Sequence, residues 1–243
     1  PDRTTNKQLS AYDKGPRMSR DTLIIINPNS SQIVTDGIDA AVGPLRRFGT
    51  AIRCLTLAEG PAGIESQKQA DFTIAPMLRL AAAQTDAAGY VIACFGDPGL
   101  HALRDQTTLP VVGIQEAAVM TALTLGQKFG VIAIMPASIP RHLRAFGAMG
   151  VLDRLAGDRA LGLGVTDLAD PDKSLGAMIA TGKRLRDDDG ANVLIMGCAG
   201  MAQYRATLES ETGLPVVEPC QAAAALALGH IALGQSHKGN QNA

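Results

Sequence analysis

Two of the four cysteines in this sequence lie in matching contexts that suggest acid–base chemistry. Cys94 and Cys198 each follow a short apolar run, precede a glycine-containing turn and lie a similar distance before a Leu-Pro-Val-Val segment. A thiolate can remove a proton from carbon, and a thiol can return one. Two such groups on opposite faces of one carbon can invert its configuration, whereas a single base returns the proton to the side it came from. The pair therefore predicts two-base proton transfer.

The other cysteines and the histidines suggest no competing chemistry. We interpret Cys54 and Cys220 as packing residues, because a lone cysteine usually behaves as a small buried apolar side chain. The histidines have no mutual spacing typical of a metal site, so surface or packing roles are expected for them. They are His142, His230 and His237; the fourth, His101, lies two helical turns beyond Cys94, too far away for a Cys–His pair. The segment 197–200 is not a dinucleotide fingerprint, so the sequence predicts neither a metal nor a cofactor.

Composition limits the class of partner. The chain has 243 residues, 22 Lys and Arg against 23 Asp and Glu, and a net charge of −1. This balance gives no electrostatic footprint for a nucleic acid or a membrane surface, and aromatic residues at 3% leave few platforms for stacking bases. No apolar run approaches the roughly 18 residues of a membrane span. We expect a cytoplasmic globular protein that acts on a small molecule, with neither nucleic acid nor membrane as partner.

Short apolar runs alternate with helix-length segments, which is typical of β–α units and a parallel sheet. The predicted strands are 22–26, 51–57, 90–93, 111–112, 130–135, 161–165, 192–196 and 216–217. The predicted helices are 32–45, 64–85, 115–127, 138–149, 172–187, 201–211 and 219–233. One further helix is expected after the Cys94 turn, with Asp97 as its cap and Pro98 at its first position.

The pattern restarts halfway along the chain, where VIACFGDPGLHALRDQTTLPVVGIQEAA finds its match in LIMGCAGMAQYRATLESETGLPVVEPCQAAA. We infer an α/β fold of two lobes, 21–128 and 129–233, related by a pseudo-twofold axis. Each lobe is expected to be a parallel sheet flanked by helices, and the last helix is free to pack back on the first lobe. Residues 1–20 are predicted to form a disordered extension and 234–243 a flexible tail.

The active site is expected in the cleft between the lobes, because ligands bind beyond the carboxyl ends of parallel strands. Cys94 and Cys198 both occupy such positions, each facing a helix N-terminus whose dipole favours a thiolate. We therefore predict that their thiol pKa values lie below the usual value of about 8.5. Arg141 and Arg144 are interpreted as surface charge, with attraction of an anionic substrate as the alternative.

Four motifs carry a family resemblance: INPNSS at 26–31, Gly60-Pro61 with Ile64-Glu65, IACFGDPGL at 92–100 and GCAGM at 197–201. Through them, residues 21–233 resemble the Asp/Glu/hydantoin racemase superfamily, most closely its hydantoin and allantoin racemase branch. The resemblance implies a two-lobed, cofactor-independent isomerase that forms a homo-oligomer and acts on a small cyclic ureide. It also implies that Cys94 and Cys198 are the catalytic acid and base.

The resemblance further implies how the substrate is held. Backbone N–H groups just after the two cysteines are expected to bind its carbonyl groups; they belong to Phe95, Gly96, Ala199 and Gly200. Two residues at the end of the first strand, Asn27 and Asn29, are expected to line the cleft. A hydantoin suits a thiolate base, because the ring and the neighbouring carbonyl delocalise the charge that develops when C5 loses its proton.

Departures from the family pattern leave alternatives open. Ser66-Gln67-Lys68-Gln69 stands where the hydantoin branch often has aromatic residues, so the preferred ring substituent is undecided. The residues after the cysteines carry no hydroxyl to hold an α-carboxylate, which argues against free aspartate or glutamate. A decarboxylase of this fold needs only one of the two cysteines, so the presence of both argues against that activity. The alternatives are an amino-acid racemase or maleate-type isomerase of the same superfamily, or a ureide-binding protein without turnover.

Overall fold

The structure, a computed structural model, describes residues 21–237 and contains two parallel four-stranded sheets. The first sheet consists of β1 (Thr22–Asn27), β2 (Ala51–Thr56), β3 (Ala87–Ile92) and β4 (Val111–Gly113). The second consists of β5 (Phe129–Ala133), β6 (Leu155–Ala160), β7 (Val193–Met196) and β8 (Val216–Val217). Their orders, β2-β1-β3-β4 and β6-β5-β7-β8, are equivalent. The predicted α/β class with a repeated parallel sheet is confirmed.

Helices flank both sheets. They are α1 (Gln32–Val42), α2 (Gln67–Phe72), α3 (Ile74–Ala82), α4 (Leu100–Gln106), α5 (Ile114–Leu125), α6 (Ile139–Ala148), α7 (Pro171–Asp187), α8 (Arg205–Thr212) and α9 (Pro219–Ala232). Short 3₁₀ helices occupy Gly43–Phe48, Pro136–Ser138, Leu152–Arg154, Val165–Ala169 and Ala199–Tyr204. Within residues 21–237, none of the helices is long and apolar enough to cross a bilayer.

The central strands are buried along their whole length and mostly apolar, because helices cover both faces of each sheet. All residues of β1, β3 and β7 are buried. The edge strand β6 has the sequence LAGDRA and is only half-buried. The prediction of this strand at 161–165 is wrong. It followed the apolar residues Leu161, Leu163 and Val165, which lie beyond the strand end, whereas β6 carries charges and has little apolar signal.

The long helix predicted over 64–85 is two helices, α2 and α3, which meet at the buried Thr73. Pro76 is the third residue of α3. Because proline lacks an N–H and its ring clashes with the carbonyl four residues earlier, one helix cannot continue through this point. The start of α2 is fixed by Ser66, whose hydroxyl oxygen accepts the N–H of Gln69 at 3.2 Å.

One helix from each half packs on the sheet of the other half. Helix α5 follows the first sheet but packs on β7 and β8, and α9 follows the second sheet but packs on β1, β3 and β4. Fully buried alanines, Ala223, Ala224 and Ala227, let α9 lie close to these strands. Gln221 at its first turn donates a hydrogen bond to the carbonyl of Ala41, at 2.8 Å. One apolar core therefore extends through both halves, and the lobe boundary at residue 128 stays a prediction.

The segment 234–237 lies against the first sheet. The N–H of His237 donates to the carbonyl of Thr108 at 2.9 Å, and the N–H of Val111 donates to Nε2 of His237 at 3.0 Å. This part of the predicted flexible tail is therefore held by the backbone next to β4. The predictions for 1–20 and for the rest of the tail lie outside the described residues.

Candidate active site

The carboxyl ends of the two sheets face one cavity between the halves. Cys94 follows β3 and Cys198 follows β7 at equivalent positions, and both line this cavity of about 30 Å³. Its walls come from both halves and include Asn29, Phe95, Ile134, His142 and Ala199. The volume is roughly that of one water molecule, so the described conformation is a closed one.

Most of the predicted site residues meet at this cavity, namely Cys94, Cys198, Asn29, Phe95 and Ala199. Gly96 lines a separate, larger cavity beside Cys94, and Gly200 lines another one beside α1. Asn27 lines none of these cavities.

Asn27 is fully buried beneath the β1–α1 turn, so it does not line the cleft as predicted. Its Nδ2 donates to Oδ1 of Asn29 at 2.9 Å, to the hydroxyl of Thr35 at 3.0 Å and to the carbonyl of Ser31 at 3.2 Å. Oδ1 of Asn29 also accepts the N–H of Ser31 at 2.9 Å. Because both donors converge on that oxygen, the orientation of the Asn29 amide is fixed, with Nδ2 as the group it can offer a ligand.

Cys94 lies at the start of a tight turn. The N–H of Asp97 donates to the carbonyl of Cys94 at 3.0 Å, and the turn passes through positive φ at Gly96 (125°) and at Asp97 (47°). Helix α4 begins only at Leu100, after Gly99. The turn thus separates the thiol from the N-terminus of the helix that follows.

The surroundings of Cys94 disfavour its thiolate. Burial raises the pKa of Cys94 above its usual value, and the charges of Cys198 and Asp97 raise it further. The guanidinium of Arg141, from the second half, acts in the opposite direction.

Cys198 has a different local partner. The 3₁₀ helix Ala199–Tyr204 begins directly after it, and the N–H of Gly200 donates to Sγ of Cys198 at 3.4 Å. Burial raises the pKa of Cys198 to about 11, the Gly200 N–H lowers it, and the carboxylate of Glu65, from the first half, raises it.

The prediction that helix N-termini lower both thiol pKa values is wrong for this closed conformation. Helix α4 begins only at Leu100, and Cys198 receives a single N–H, from Gly200. Burial in a small apolar cavity disfavours the charged thiolate by more than these groups favour it.

Asp97 caps a different helix from the predicted one. Its carboxylate accepts the N–H groups of Gln115 and Glu116, each at 2.9 Å, and so caps α5 instead of α4. The approach requires Gly113, because a Cβ there would lie 2.2 Å from Cγ of Asp97. Burial raises the pKa of Asp97 to about 7, although the two N–H groups that its carboxylate accepts lower it. The Cys94 turn is thereby tied to the helix that packs on the second sheet.

A buried histidine–carboxylate pair supports the cavity wall. The sequence predicted only a surface or packing role for His142 and gave no sign of its carboxylate partner. Nδ1 of His142 lies 2.8 Å from Oδ2 of Asp158 on β6, and both side chains are at most 2% exposed. The His142 ring contacts the ring of Phe95 edge to face, with centroids 4.9 Å apart. The available signal was that His142 and Phe146 share the buried face of α6, four residues apart.

The mouth of the cavity is closed by contacts between the halves. The N–H of Val165 donates to the carboxylate of Glu65 at 2.9 Å, and Arg141 donates to the carbonyl of Glu65 at 3.3 Å. Close by, Arg144 donates to the side-chain oxygen of Gln67 at 2.6 Å. The Ile64-Glu65 motif therefore joins the first half to the second.

The other two cysteines lie away from the cavity. Cys54 is half-buried on β2, and Cys220 is fully buried at the start of α9. Within residues 21–237, no group of three or more His, Cys, Asp or Glu side chains is placed to hold a metal ion.

Fold and site together define a class: α/β proteins in which two equivalent parallel sheets present matched cysteines to one cavity. The chain belongs to the Asp/Glu/hydantoin racemase family, whose profile matches residues 23–227. It is accordingly a racemase, an isomerase, as the sequence motifs predicted.

Individual relatives agree with this assignment. The chain is 34% identical to the hydantoin racemase of Paenarthrobacter aurescens over 224 residues, which is 90% of this chain and 94% of that protein. The structure of allantoin racemase from Klebsiella pneumoniae superposes with a TM-score of 0.84 at 28% identity, covering 89% of this chain and 90% of that one. Allantoin racemase from Pseudomonas fluorescens gives the same TM-score and identity, with coverages of 90% and 94%.

Proposed function

We propose that this racemase inverts C5 of 5-substituted hydantoins or of allantoin, with Cys94 and Cys198 as the two proton-transfer groups. The observation that carries the proposal is the position of both thiols on one cavity, at equivalent strand ends of the two sheets. The hydantoin and allantoin racemase relatives support a cyclic ureide as the substrate class. A ring bound between the two sulfur atoms presents opposite faces of C5 to them.

The proposed reaction removes one proton from C5 and adds another. The thiolate of one cysteine takes the C5 proton, and the electron pair of the broken C–H bond delocalises into the neighbouring carbonyl as an enolate. The thiol of the other cysteine then donates its proton to the opposite face of C5. The product is inverted, the two cysteines have exchanged protonation states, and the same steps in reverse act on the other enantiomer.

Neighbouring groups favour particular roles in this scheme. The N–H of Gly200 is already bonded to Sγ of Cys198, so we assign it to the thiolate and not to a substrate carbonyl. Nδ2 of Asn29 and the backbone N–H groups of Phe95 and Ala199 are the donors proposed for the enolate oxygen. These donors lie on both sides of the cavity, which suits a ring with two carbonyl groups.

The ring needs more room than the closed cavity offers. The bond between Glu65 and the Val165 N–H joins the halves at the mouth, so we infer that this contact opens when substrate enters. Its return would exclude water from the thiolate and the enolate.

The test follows optical rotation and the C5 proton signal of single enantiomers in D₂O, for allantoin and for a 5-alkylhydantoin. We expect loss of rotation together with deuterium at C5 in the wild type, and loss of racemisation in both Cys94→Ala and Cys198→Ala. Cys54→Ala is the matched control, since it removes a thiol that does not line the cavity. It should racemise like the wild type.

Other outcomes point to the alternatives. Racemisation of aspartate or glutamate, or isomerisation of maleate, in place of either ring would contradict the proposed substrate class. Binding of a ring without turnover would indicate a ureide-binding protein. The predicted homo-oligomer is tested separately by sedimentation equilibrium of the full chain.

A further inference from the structure

A second cavity of about 340 Å³ lies beside Cys94. It shares walls with the cysteine cavity, since Ile64, Cys94, Phe95 and Arg141 line both. Its volume falls within the range of small-molecule sites, whereas the cysteine cavity is far smaller. We therefore expect a substituent on the carbon that Cys94 addresses to begin next to this second cavity.

Two arginines and two aspartates, Asp71 and Asp97, line this cavity, so its field depends on which of them are paired. Arg141 and Arg144 lie three residues apart on α6 and both line it. Within residues 21–237, neither guanidinium forms an ion pair with a carboxylate. Arg141 donates to the carbonyls of Glu65 and Ala137 and to the hydroxyl of Ser138, all of them neutral acceptors.

Arg144 likewise has a neutral partner, the side-chain oxygen of Gln67 at 2.6 Å. Of the two aspartates that line this cavity, Asp97 caps α5, and Asp71 accepts from Nε2 of Gln67 at 2.7 Å. The carboxylate is thus bonded to the amide and not to a guanidinium. Burial lowers the pKa of Arg141, the charge of the Cys94 thiolate raises it, and the nearby charge of Arg144 lowers it.

Resting on the proposed function, we propose that this cavity receives the substituent at C5 and selects substituents that end in a carboxylate. We name it the arginine subsite and define it by Ile64, Gln67, Asp71, Phe95, Arg141 and Arg144. Its apolar wall accepts methylene groups, and two guanidiniums offer paired donors of the geometry that carboxylates prefer. The favoured substrates are therefore hydantoins of dicarboxylic amino acids.

The test compares two substrates of nearly the same shape, 5-carboxymethylhydantoin and its neutral amide, 5-carbamoylmethylhydantoin. For the wild type at low salt we expect kcat/KM to be about tenfold higher for the acid. The preference should shrink as ionic strength rises, because part of the subsite is exposed. Allantoin, with a neutral ureido substituent, is the third substrate and should resemble the amide.

Charge variants locate the effect. Arg144→Gln should reduce the acid-to-amide ratio several-fold, and Arg144→Glu should invert it while improving the use of 5-(4-aminobutyl)hydantoin, which carries a cation. The matched control is Arg184→Gln, an equally charge-neutralising change at an exposed arginine of α7. Its acid-to-amide ratio should equal that of the wild type.

The outcomes separate the two proposals. Racemisation of both substrates with a ratio near one, or a ratio that Arg184→Gln lowers as much as Arg144→Gln does, overturns the arginine subsite and leaves the racemase proposal intact. If neither substrate racemises, the dissociation constants of the acid and the amide, measured by calorimetry, decide the subsite; the proposed function fails only if allantoin and a 5-alkylhydantoin do not racemise either. Tighter binding of the acid supports it, and equal binding overturns it.

Discussion

The Cys94 turn and the Cys198 turn occupy equivalent places in two equivalent sheets, yet different contacts hold them. In the first half, Asp97 from the cysteine turn caps α5. In the second half, the cap of α9 is Glu218, which immediately precedes the helix and accepts the N–H of Cys220 at 3.0 Å. The Cys198 turn therefore does not cap α9, and the sulfur of Cys198 accepts the N–H of Gly200.

Away from the cysteines the two halves are alike. Arg104 on α4 donates to the carbonyl of Val111 at 2.8 Å and pairs with Glu116. Arg205 on α8 donates in the same way to the carbonyl of Val216, at 3.1 Å, and to Gln221. The contacts that attach helix to sheet are thus duplicated, whereas the contacts around the thiols are not.

The charges near the thiols also differ, and one on each side comes from the opposite half. Arg141 lies on the Cys94 side and Glu65 on the Cys198 side, joined to each other at the mouth. A two-base racemase needs one thiolate and one thiol at the same time. Here the duplicated halves keep the backbone position of each thiol and change its neighbours, which would suit the two-base reaction proposed above.

The largest expected effect comes from removing either thiol. Cys94→Ala and Cys198→Ala should each lower the racemisation rate by roughly 10³-fold, because one proton-transfer group is lost. Each variant should still exchange the C5 proton of one enantiomer with D₂O, since the remaining cysteine addresses one face. NMR on both pure enantiomers checks this. Exchange of the same enantiomer by both variants would show that the thiols do not face each other across the ring.

The second effect is the pH dependence of the wild type. Because burial raises the pKa of both thiols, the thiolate needed for the first step becomes more abundant as pH rises. We expect kcat/KM to rise about tenfold per pH unit between about pH 7 and pH 9. A profile that is flat over this range would mean that a thiol of the free enzyme is already ionised at pH 7, which would contradict the raised pKa values.

The third effect is on stability and concerns the contact between the Cys94 turn and α5. Gly113→Ala places a Cβ 2.2 Å from Cγ of Asp97 and should lower the free energy of unfolding by about 2 kcal/mol. Gly37→Ala, in the open part of α1, is the control and should raise it by up to about 1 kcal/mol. Urea denaturation measures both. Equal changes would mean that Asp97 tolerates displacement from α5.

The smallest effect tests the charge on the Cys198 side. Glu65→Gln keeps an oxygen for the Val165 N–H but removes the carboxylate that raises the pKa of Cys198. The pH profile for proton exchange, measured in the Cys94→Ala background, should move to lower pH by a fraction of a unit. Glu59→Gln, at an exposed carboxylate paired with Arg79, is the control and should leave the profile in place. A shift to higher pH would contradict the assigned role of Glu65.

Much of the fold could be predicted from the sequence because buried parallel strands are continuous apolar runs, as β1, β3 and β7 are. The prediction failed at β6, where an edge strand carries Asp158 and Arg159, and at Thr73, where Pro76 interrupts a pattern that otherwise continues. At β6 the polar residues of an edge strand hide the strand pattern. At Thr73 a proline ends the helix although the apolar pattern continues.

The candidate site was predicted in part for a related reason. The repeat reveals Cys94 and Cys198, because matching motifs at strand ends are visible in the order of residues. The pair of His142 and Asp158 joins a helix to an edge strand, and no periodicity links the two residues. Asp97 illustrates the same limit, since a cap is normally local whereas this one reaches a helix farther along the chain.

The sequence by itself determined the parallel sheets, the duplicated halves and the two matched cysteines, because these depend on hydrophobic pattern and local motifs. Only the tertiary structure decided the environment of the thiols. Burial depends on how the halves close, and it reversed the direction expected from helix dipoles. The charges of Arg141 and Glu65 act across the cleft, between residues that the chain order keeps far apart.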